Sequence, residues 1–379
     1  MKRIVHVTSA HPRTDNRIFN KECRALANAG YEVHALVADG GQSVDGNFRI
    51  AGFPGEDARS KRVAMSSLRF LIALRRLEPD LVHAHDPELI PLLLAWKALC
   101  RDSYIIYDAH EDLEEQVLHK DYIPRPMRFA TRLLARALIN SADRFCDGIV
   151  AATNPIAGRF SRALVSTVEN YPWLSDFDAV ATAERGSSSS GNVCLCYVGA
   201  LAHARGASVM ANLLDDLAGK GIHAKLLIAG PVQDAAGAEL VERSDVDYRG
   251  VLDASKVSSL LSEADIGLAL LSPLPNYKAA LPTKVFEYMA AGLPYIASDF
   301  EEWQDLFGPY QAGEHVDPED RLAVVEAVFD ILSDPIRARS MGVRGMRAIS
   351  SDLNFEASSL RLLELVSSVL AGGSKVGKI

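Results

Sequence analysis

Residues 281–298 read LPTKVFEYMAAGLPYIAS, and within them Thr283, Lys284 and Glu287 have the types and spacing to handle an anionic ligand. Pro282 suits a first helical turn, Val285, Phe286, Met289 and Ala290 recur at helical spacing, and Gly292 and Pro294 stop the helix before a strand, YIAS. The start of such a helix presents unpaired backbone N–H groups and the positive end of its dipole, so a phosphate-sized anion fits there beside Lys284. Glu287 lies one turn further in, within reach of whatever that phosphate carries. The competing reading is an ordinary Lys284–Glu287 helix pair, worth roughly a few tenths of a kcal/mol.

A second group of chemically capable residues lies earlier. His83 and His85 alternate in VHAHD, and His110 closes YDAH, with Asp108 and Glu111 beside it to orient the imidazole. Two alternating histidines invite a metal reading, but no third ligand stands at a recognisable spacing, which favours a structural role for both. Arg17, in TDNRI, opens the first helix and either touches a ligand or makes a surface contact with Asp15. The acid triplets DFD (176–178) and DVD (245–247) follow no strand and are read as chance.

These residues need a scaffold, and the chain supplies an alternation of strands and helices. RIVHVTS, YEVHALVAD, DLVHAHD, SYIIYDAH and GIVAAT read as strands, with IFNKECRALANAG, SLRFLIALRRLEP, ELIPLLLAWKALC and RPMRFATRLLARALINSADRFC as helices between them. After the Ser/Gly stretch TAERGSSSSG, read as an exposed loop or linker, the alternation begins again with VCLCYVGAL and runs through AKLLIAG, VDYRGVL, DIGLALL and YIAS. The expectation is two doubly wound α/β domains, residues 1–170 and 171–354, with ligands taken at the carboxyl ends of the strands in a cleft between facing sheets.

Composition narrows the function. A chain of 379 residues, 48% hydrophobic and 23% charged, suits two soluble domains, and no apolar run is long enough to span a bilayer. The N-terminus lacks the apolar core of a signal peptide, which leads to the expectation of a cytoplasmic protein. Five scattered cysteines read as reduced structural thiols. Residues 1–170 carry 23 Lys and Arg against 21 Asp and Glu, whereas residues 171–379 carry 17 against 28. That imbalance disfavours a nucleic-acid binder, which would present a basic face over a whole domain.

The motifs RIFNKECRALANAGYEV, VHAHDPE, YDAHE, YVGALAHARG and LPTKVFEYMAAGLPYIASDF resemble those of the glycosyltransferases of the GT-B fold, and within them the retaining family 4 (GT4). The resemblance covers nearly the whole chain. It implies two Rossmann-like domains facing across a cleft, with a C-terminal helix, at about 355–372, crossing back onto the first. It implies transfer of a sugar from a nucleoside diphosphate, UDP or GDP, to a glycan or lipid-linked acceptor, with retained anomeric configuration and no catalytic metal or other cofactor. Donor contacts fall on Gly199, Arg205, Val251, Leu281, Thr283, Lys284 and Glu287, and catalytic roles on His110, Arg205, Lys284 and Glu287. In this family the acid matching Glu287 holds the ribose, and the histidine matching His110 reaches the sugar or its phosphate. Two positions depart from the pattern: Ala279 stands where a second acid is common, and Ala200 where an arginine is, leaving Arg205 and Lys284 to neutralise the diphosphate. These departures keep two other readings open, a nucleotide-sugar epimerase of the same fold and a catalytically silent nucleotide-binding subunit.

In the helix near residues 125–140, Arg128, Arg132 and Arg136 recur four apart, with Phe129, Leu133, Leu134 and Leu138 between them. A basic stripe beside an apolar face suits an anionic membrane surface, while the competing reading is a core helix with a solvated arginine edge.

Overall fold

The structure, a computed structural model, describes residues 1–45, 48–53, 59–110, 113–114, 125–177 and 193–372. The Ser/Gly stretch 182–191 and Glu111 lie outside the described residues. The chain divides into two compact units, Met1–Asn170 together with Glu356–Ile379, and Tyr171–Phe355.

In the first unit, β1 (Arg3–Thr8), β2 (Glu32–Val37), β4 (Phe48–Gly52), β5 (Leu81–Ala84), β6 (Tyr104–Ala109), β7 (Gly148–Ala151) and β8 (Leu164–Thr167) run parallel, and β3 (Gln42–Asp45) pairs antiparallel with β4. The order is β3-β4-β2-β1-β5-β6-β7-β8. Strands such as RIVHVT and LVHA are buried on both faces, as a parallel sheet covered by helices on each side requires. Val5, Val7, Val82, Ile105 and Ile149 form the core beneath the helices.

The second unit holds β9 (Val193–Val198), β10 (Ala224–Ala229), β11 (Val246–Tyr248), β12 (Ile266–Ala269), β13 (Tyr295–Ser298) and β14 (Gly313–Val316), all parallel, in the order β11-β10-β9-β12-β13-β14. In each sheet the chain starts in the middle and winds outward both ways. The winding reverses between β1 and β5 in one sheet and between β9 and β12 in the other, and a crevice opens at the carboxyl ends of such a strand pair.

The helix Thr283–Ala290 connects β12 to β13 and is fixed from below by Tyr288, whose hydroxyl donates to the carbonyl of Leu268 at 2.9 Å and accepts from the Val198 amide at 3.4 Å. That ring fits only because position 267 is glycine: a Cβ there would stand 2.6 Å from the Tyr288 ring. From outside, the helix Pro335–Ser351 lays Gly345 against Met289 and Gly342 against the carbonyl of Gly292. Its floor, helix and cover are therefore set by three close approaches that a side chain would block.

The helix Phe355–Leu370 serves the first unit. Arg361 donates from Nε to the Thr167 carbonyl at 2.8 Å and pairs with Glu169, while Val369 and Leu365 pack against Gly148 of β7.

Four strands escape the sequence reading: β3, β4, β8 and β14. Three of them are the edges of their sheets, where short segments carry no continuous apolar run. The first helix also differs from the expected form, because Asn16–Cys23 is wound as a π-helix before an α-helical end, Arg24–Asn28.

Among the described glycines of the second unit the closest approach is at Gly230, with φ at 142° and a would-be Cβ 1.9 Å from the carbonyl oxygen of Gly199. Replacing Gly230 with Ala is expected to destabilise the second unit by about 2–4 kcal/mol and to displace Gly199, read as a lower urea midpoint for the Trp303 environment.

Candidate functional site

The crevice between β9 and β12 gathers most of the residues singled out in the second unit. β9 ends into Gly199, whose φ of 144° suits only glycine and whose amide donates to Ala229 at 2.8 Å. Directly beside it lies the Lys284 side chain: a Cβ on Gly199 would meet Lys284 Cε at 3.3 Å. The Lys284 ammonium is 8% exposed, sits 4.6 Å from the centroid of the Tyr197 ring and 3.5 Å from its hydroxyl. Such a site suits a cation through the ring's negative face, but it strips the ammonium of water. Burial, aided by the charge of Arg205, pushes the Lys284 pKa down to about 7, with Glu287 opposing. Tyr197 is itself pushed up to about 12 by burial, and its hydroxyl donates to the Ala200 carbonyl at 2.9 Å.

Arg205 ends a short turn, His203–Arg205, just before Gly206, and its guanidinium lies 5.3 Å over the Tyr277 ring. Gly206 has φ at 88°, and a Cβ there would fall 2.1 Å from the Leu270 carbonyl, so the loop after β9 is pressed onto the loop after β12. Thr283 and Leu281 are half-buried at the start of the Thr283–Ala290 helix, and Glu287 is half-buried one turn in. The structure thus places Gly199 against Lys284 and brings Arg205 and Glu287 within electrostatic reach of the same ammonium. Val251 is the exception. It is 69% exposed in the loop after β11, on a strand two places out from β9.

The first unit carries a different kind of site at its own β1–β5 crevice. The ends of both strands are tied by Asp86, which accepts from the Thr8 hydroxyl at 2.9 Å and the Ser9 amide at 2.6 Å. Arg17 faces inward from the Asn16–Cys23 segment and forks onto Asp108 at 3.0 and 2.8 Å, with a third bond to the Val168 carbonyl at 2.8 Å. It is buried, so the surface pair with Asp15 does not describe it. Burial alone would raise the Asp108 carboxyl, but Arg17, His110 and His85 hold it well below the usual carboxylate range. Glu22, beside it, is driven well above that range by burial and by the charge of Asp108, with Arg17 opposing.

His110 is half-buried with Nδ1 3.7 Å from the Asp108 carboxylate, and its ring stands edge-on to His11 with centroids 5.0 Å apart. His11 in turn contacts Asp15 at 3.1 Å and Asp86 at 3.4 Å. Burial opposes the His11 charge, but those carboxylates raise its pKa on balance. His83 and His85 are fully buried, and the third and fourth members of their group are His6 and Glu22. The signal for these two was present as a histidine inside the apolar strand RIVHVT and an acid on the buried side of a helix, but only the sheet order brings them together.

Arg128, Arg132 and Arg136 lie on the helix Arg125–Phe145. Arg136 pairs with Glu114 at 2.9 Å and Arg132 approaches the same carboxylate at 3.7 Å, while Phe129 is 78% exposed and Leu133 and Leu134 are exposed beside it. Of the four apolar residues between the arginines, Phe129, Leu133 and Leu134 therefore face outward, while Leu138 packs against the core of the first unit.

The glycosyl transferases group 1 family model matches residues 182–347, and the glycosyltransferase family 4 model matches residues 17–166. Among solved structures, the sucrose-phosphate synthase of Thermosynechococcus elongatus superposes with a TM-score of 0.74 at 18% identity, covering 98% of this chain and 100% of that one. HepE of Anabaena, solved with UDP and glucose, gives 0.70 at 14% identity over 97% and 100%. The UDP-forming α,α-trehalose-phosphate synthase of Burkholderia vietnamiensis gives 0.69 at 13% over 99% and 100%. TuaH of Bacillus subtilis (strain 168), a protein assigned to teichuronic acid biosynthesis as a glycosyltransferase, is 29% identical over 100 residues. That match spans a quarter of the length of each, 25% of this chain and 25% of TuaH. With one glycosyltransferase model on each of two doubly wound units, and whole-length likeness to GT-B structures, the chain belongs to the family 4 glycosyltransferases of the GT-B fold.

Proposed function

We propose that the protein transfers a sugar from a nucleoside diphosphate to a glycan or lipid-linked acceptor with retention of configuration, in the synthesis of a cell-surface polysaccharide or glycoconjugate. The observation that carries this reading is the pairing of a water-stripped Lys284 with the start of the Thr283–Ala290 helix, beneath Gly199 and beside Arg205. As the bond from the sugar's anomeric carbon to the diphosphate oxygen breaks, the electron pair and the negative charge go to the diphosphate. Lys284, Arg205 and the helix N-terminus are fixed where that charge grows, which stabilises it without a catalytic metal ion. Glu287 takes the ribose hydroxyls, with Gly199, Leu281, Thr283 and Val251 lining the donor. His110, beside Asp108 and edge-on to His11, supplies a hydrogen-bond donor suited to a sugar hydroxyl or phosphate oxygen. UDP is the first choice of nucleotide, with GDP second; HepE, solved with UDP and with UDP-glucose, lends support. TuaH lends similar support to a cell-surface product.

The exposed Phe129, Leu133 and Leu134 favour an added reading, that the protein docks peripherally on the anionic inner face of a membrane. No helix among the described residues is long and apolar enough to cross a bilayer. Since Arg132 and Arg136 share Glu114, apolar insertion outweighs charge in this contact.

Three measurements check these statements. Incubation with UDP-, GDP-, ADP- and dTDP-sugars in excess EDTA is expected to release nucleoside diphosphate and pass the sugar to an acceptor, or to water in its absence. Isomerised donor would point to an epimerase, and binding without turnover to a silent subunit. In calorimetric titrations, Glu287→Ala is expected to weaken nucleoside diphosphate binding by about 2–4 kcal/mol with the fold intact. In the same titrations the Lys284 contribution to wild-type affinity should be level below about pH 6 and decline from about pH 7 toward pH 9 by up to about tenfold per unit. The sign follows from Lys284: free, it loses its proton above about 7, and the bound diphosphate calls the proton back. Lys284→Met should bind weakly and flatten that slope. Finally, the protein should float with phosphatidylglycerol vesicles, and replacing Phe129, Leu133 and Leu134 with Ser should leave it in the soluble fraction.

A further inference from the structure

Below the β1–β5 crevice, four side chains converge that the transfer chemistry does not use: His6 from β1, His83 from β5, His85 just beyond it, and Glu22 from the Asn16–Cys23 segment. None is more than 1% exposed, and one potential ligand atom from each lies within 4.8 Å of all the others. His6 and His83 are register partners on adjacent strands, so their side chains share a face of the sheet, and the three imidazoles stack with centroids 4.7–5.1 Å apart. Five of their polar atoms make no hydrogen bond, namely His6 Nε2, both nitrogens of His83 and both oxygens of Glu22, although Glu22 Oε1 is ion-paired with the Arg17 guanidinium at 3.2 Å. Buried polar atoms are nearly always satisfied, so this concentration in one place calls for an occupant.

The hydrogen-bond directions say what kind. Asp108 accepts from His85 Nδ1 at 3.0 Å, which makes that nitrogen the one carrying hydrogen. His85 Nε2 is then an acceptor, and the 2.8 Å contact to His6 Nδ1 makes His6 the donor. His6 Nε2 is left as a bare lone pair. His83, 3.7 Å from Glu22 Oε2, adds at least one more lone pair, and Glu22, whose Oε1 is taken by Arg17, leaves Oε2 facing the imidazoles as the remaining oxygen. A water molecule brings only two hydrogens to such a pocket, whereas a cation takes lone pairs and brings none. We propose that His6, His83 and Glu22 bind a divalent transition-metal ion, zinc first, with His85 orienting His6 from behind through Asp108. Two imidazoles and a carboxylate are a ligand set that zinc accepts, and the carboxylate–histidine relay is the usual support for a metal-bound imidazole. Zinc would require ligand atoms about 3.3–3.5 Å apart, so the side chains close slightly around it. The ion ties β1 and β5 to the Asn16–Cys23 segment as a structural clamp, independent of the transferase reading.

Because the pocket is closed, the ion loads as the first unit folds, and the test is a refolding one. Full-length protein is unfolded, stripped of metal, and refolded in EDTA or in zinc chloride alone. The zinc sample should keep one equivalent through gel filtration and melt at least about 3 °C higher than the EDTA sample. His83→Gln and Glu22→Gln should each lower retained zinc affinity by about tenfold or more, while His34→Gln, a histidine of β2 outside the cluster, should not. Refolding in cobalt chloride gives a readout on the wild type itself. Intense visible bands of a low-coordinate nitrogen–oxygen site support the proposal, and only the weak bands of hydrated cobalt overturn it. Less than a tenth of an equivalent of zinc in the wild type, or a full equivalent kept by His83→Gln, would also overturn it.

Discussion

An ammonium group held away from water, on the face of a tyrosine ring and beneath a bare backbone, is the constraint around which the second unit is arranged. A side chain on Gly199 would crowd Lys284 and could not adopt the φ of that residue, and the Gly199 carbonyl keeps its place only because Gly230 has no Cβ to meet it. The lysine must also be carried at a fixed height, which the Tyr288 hydroxyl secures by joining its helix to the ends of β9 and β12. Burying a cation beside another cation costs stability in the empty protein. The return comes when an anion arrives, because the charges are already aimed and little solvent has to move.

The first unit solves a related problem with an opposite sign. Arg17 and Asp108 form a fully buried pair in which the guanidinium spends two donors on the carboxylate and a third on a backbone carbonyl. Such pairs contribute little net stability, but removing one partner strands the other. Here the pair fixes where the histidines stand. Asp108 orients His85 directly and lies beside His110, so one buried arginine governs both the hidden imidazoles and the half-exposed one.

The scaffold was largely legible because each element is punctuated. The helix holding Lys284 and Glu287 announces itself through Pro282, the apolar spacing and Gly292, and each long parallel strand is a continuous apolar run. Edge strands β3, β8 and β14 lack such runs. Arg17 was misread because a charged residue at a helix start normally faces water, and only the far end of the chain segment, at Val168, shows that this one is enclosed. His6 and Glu22 lie far in sequence from His83, and their meeting depends on β1 lying next to β5, a pairing that local spacing does not encode.

The first unit is also discontinuous. Its β7 and β8 complete their packing only against Leu365, Val369 and Arg361, which follow the whole of the second unit in the chain. During synthesis the early strands emerge long before their cover, whereas residues 171–355 form an uninterrupted unit able to close as soon as they are made. The order of folding is therefore expected to run against the order of the sequence, with the N-terminal sheet waiting, partly uncovered, for a helix made after everything else it needs.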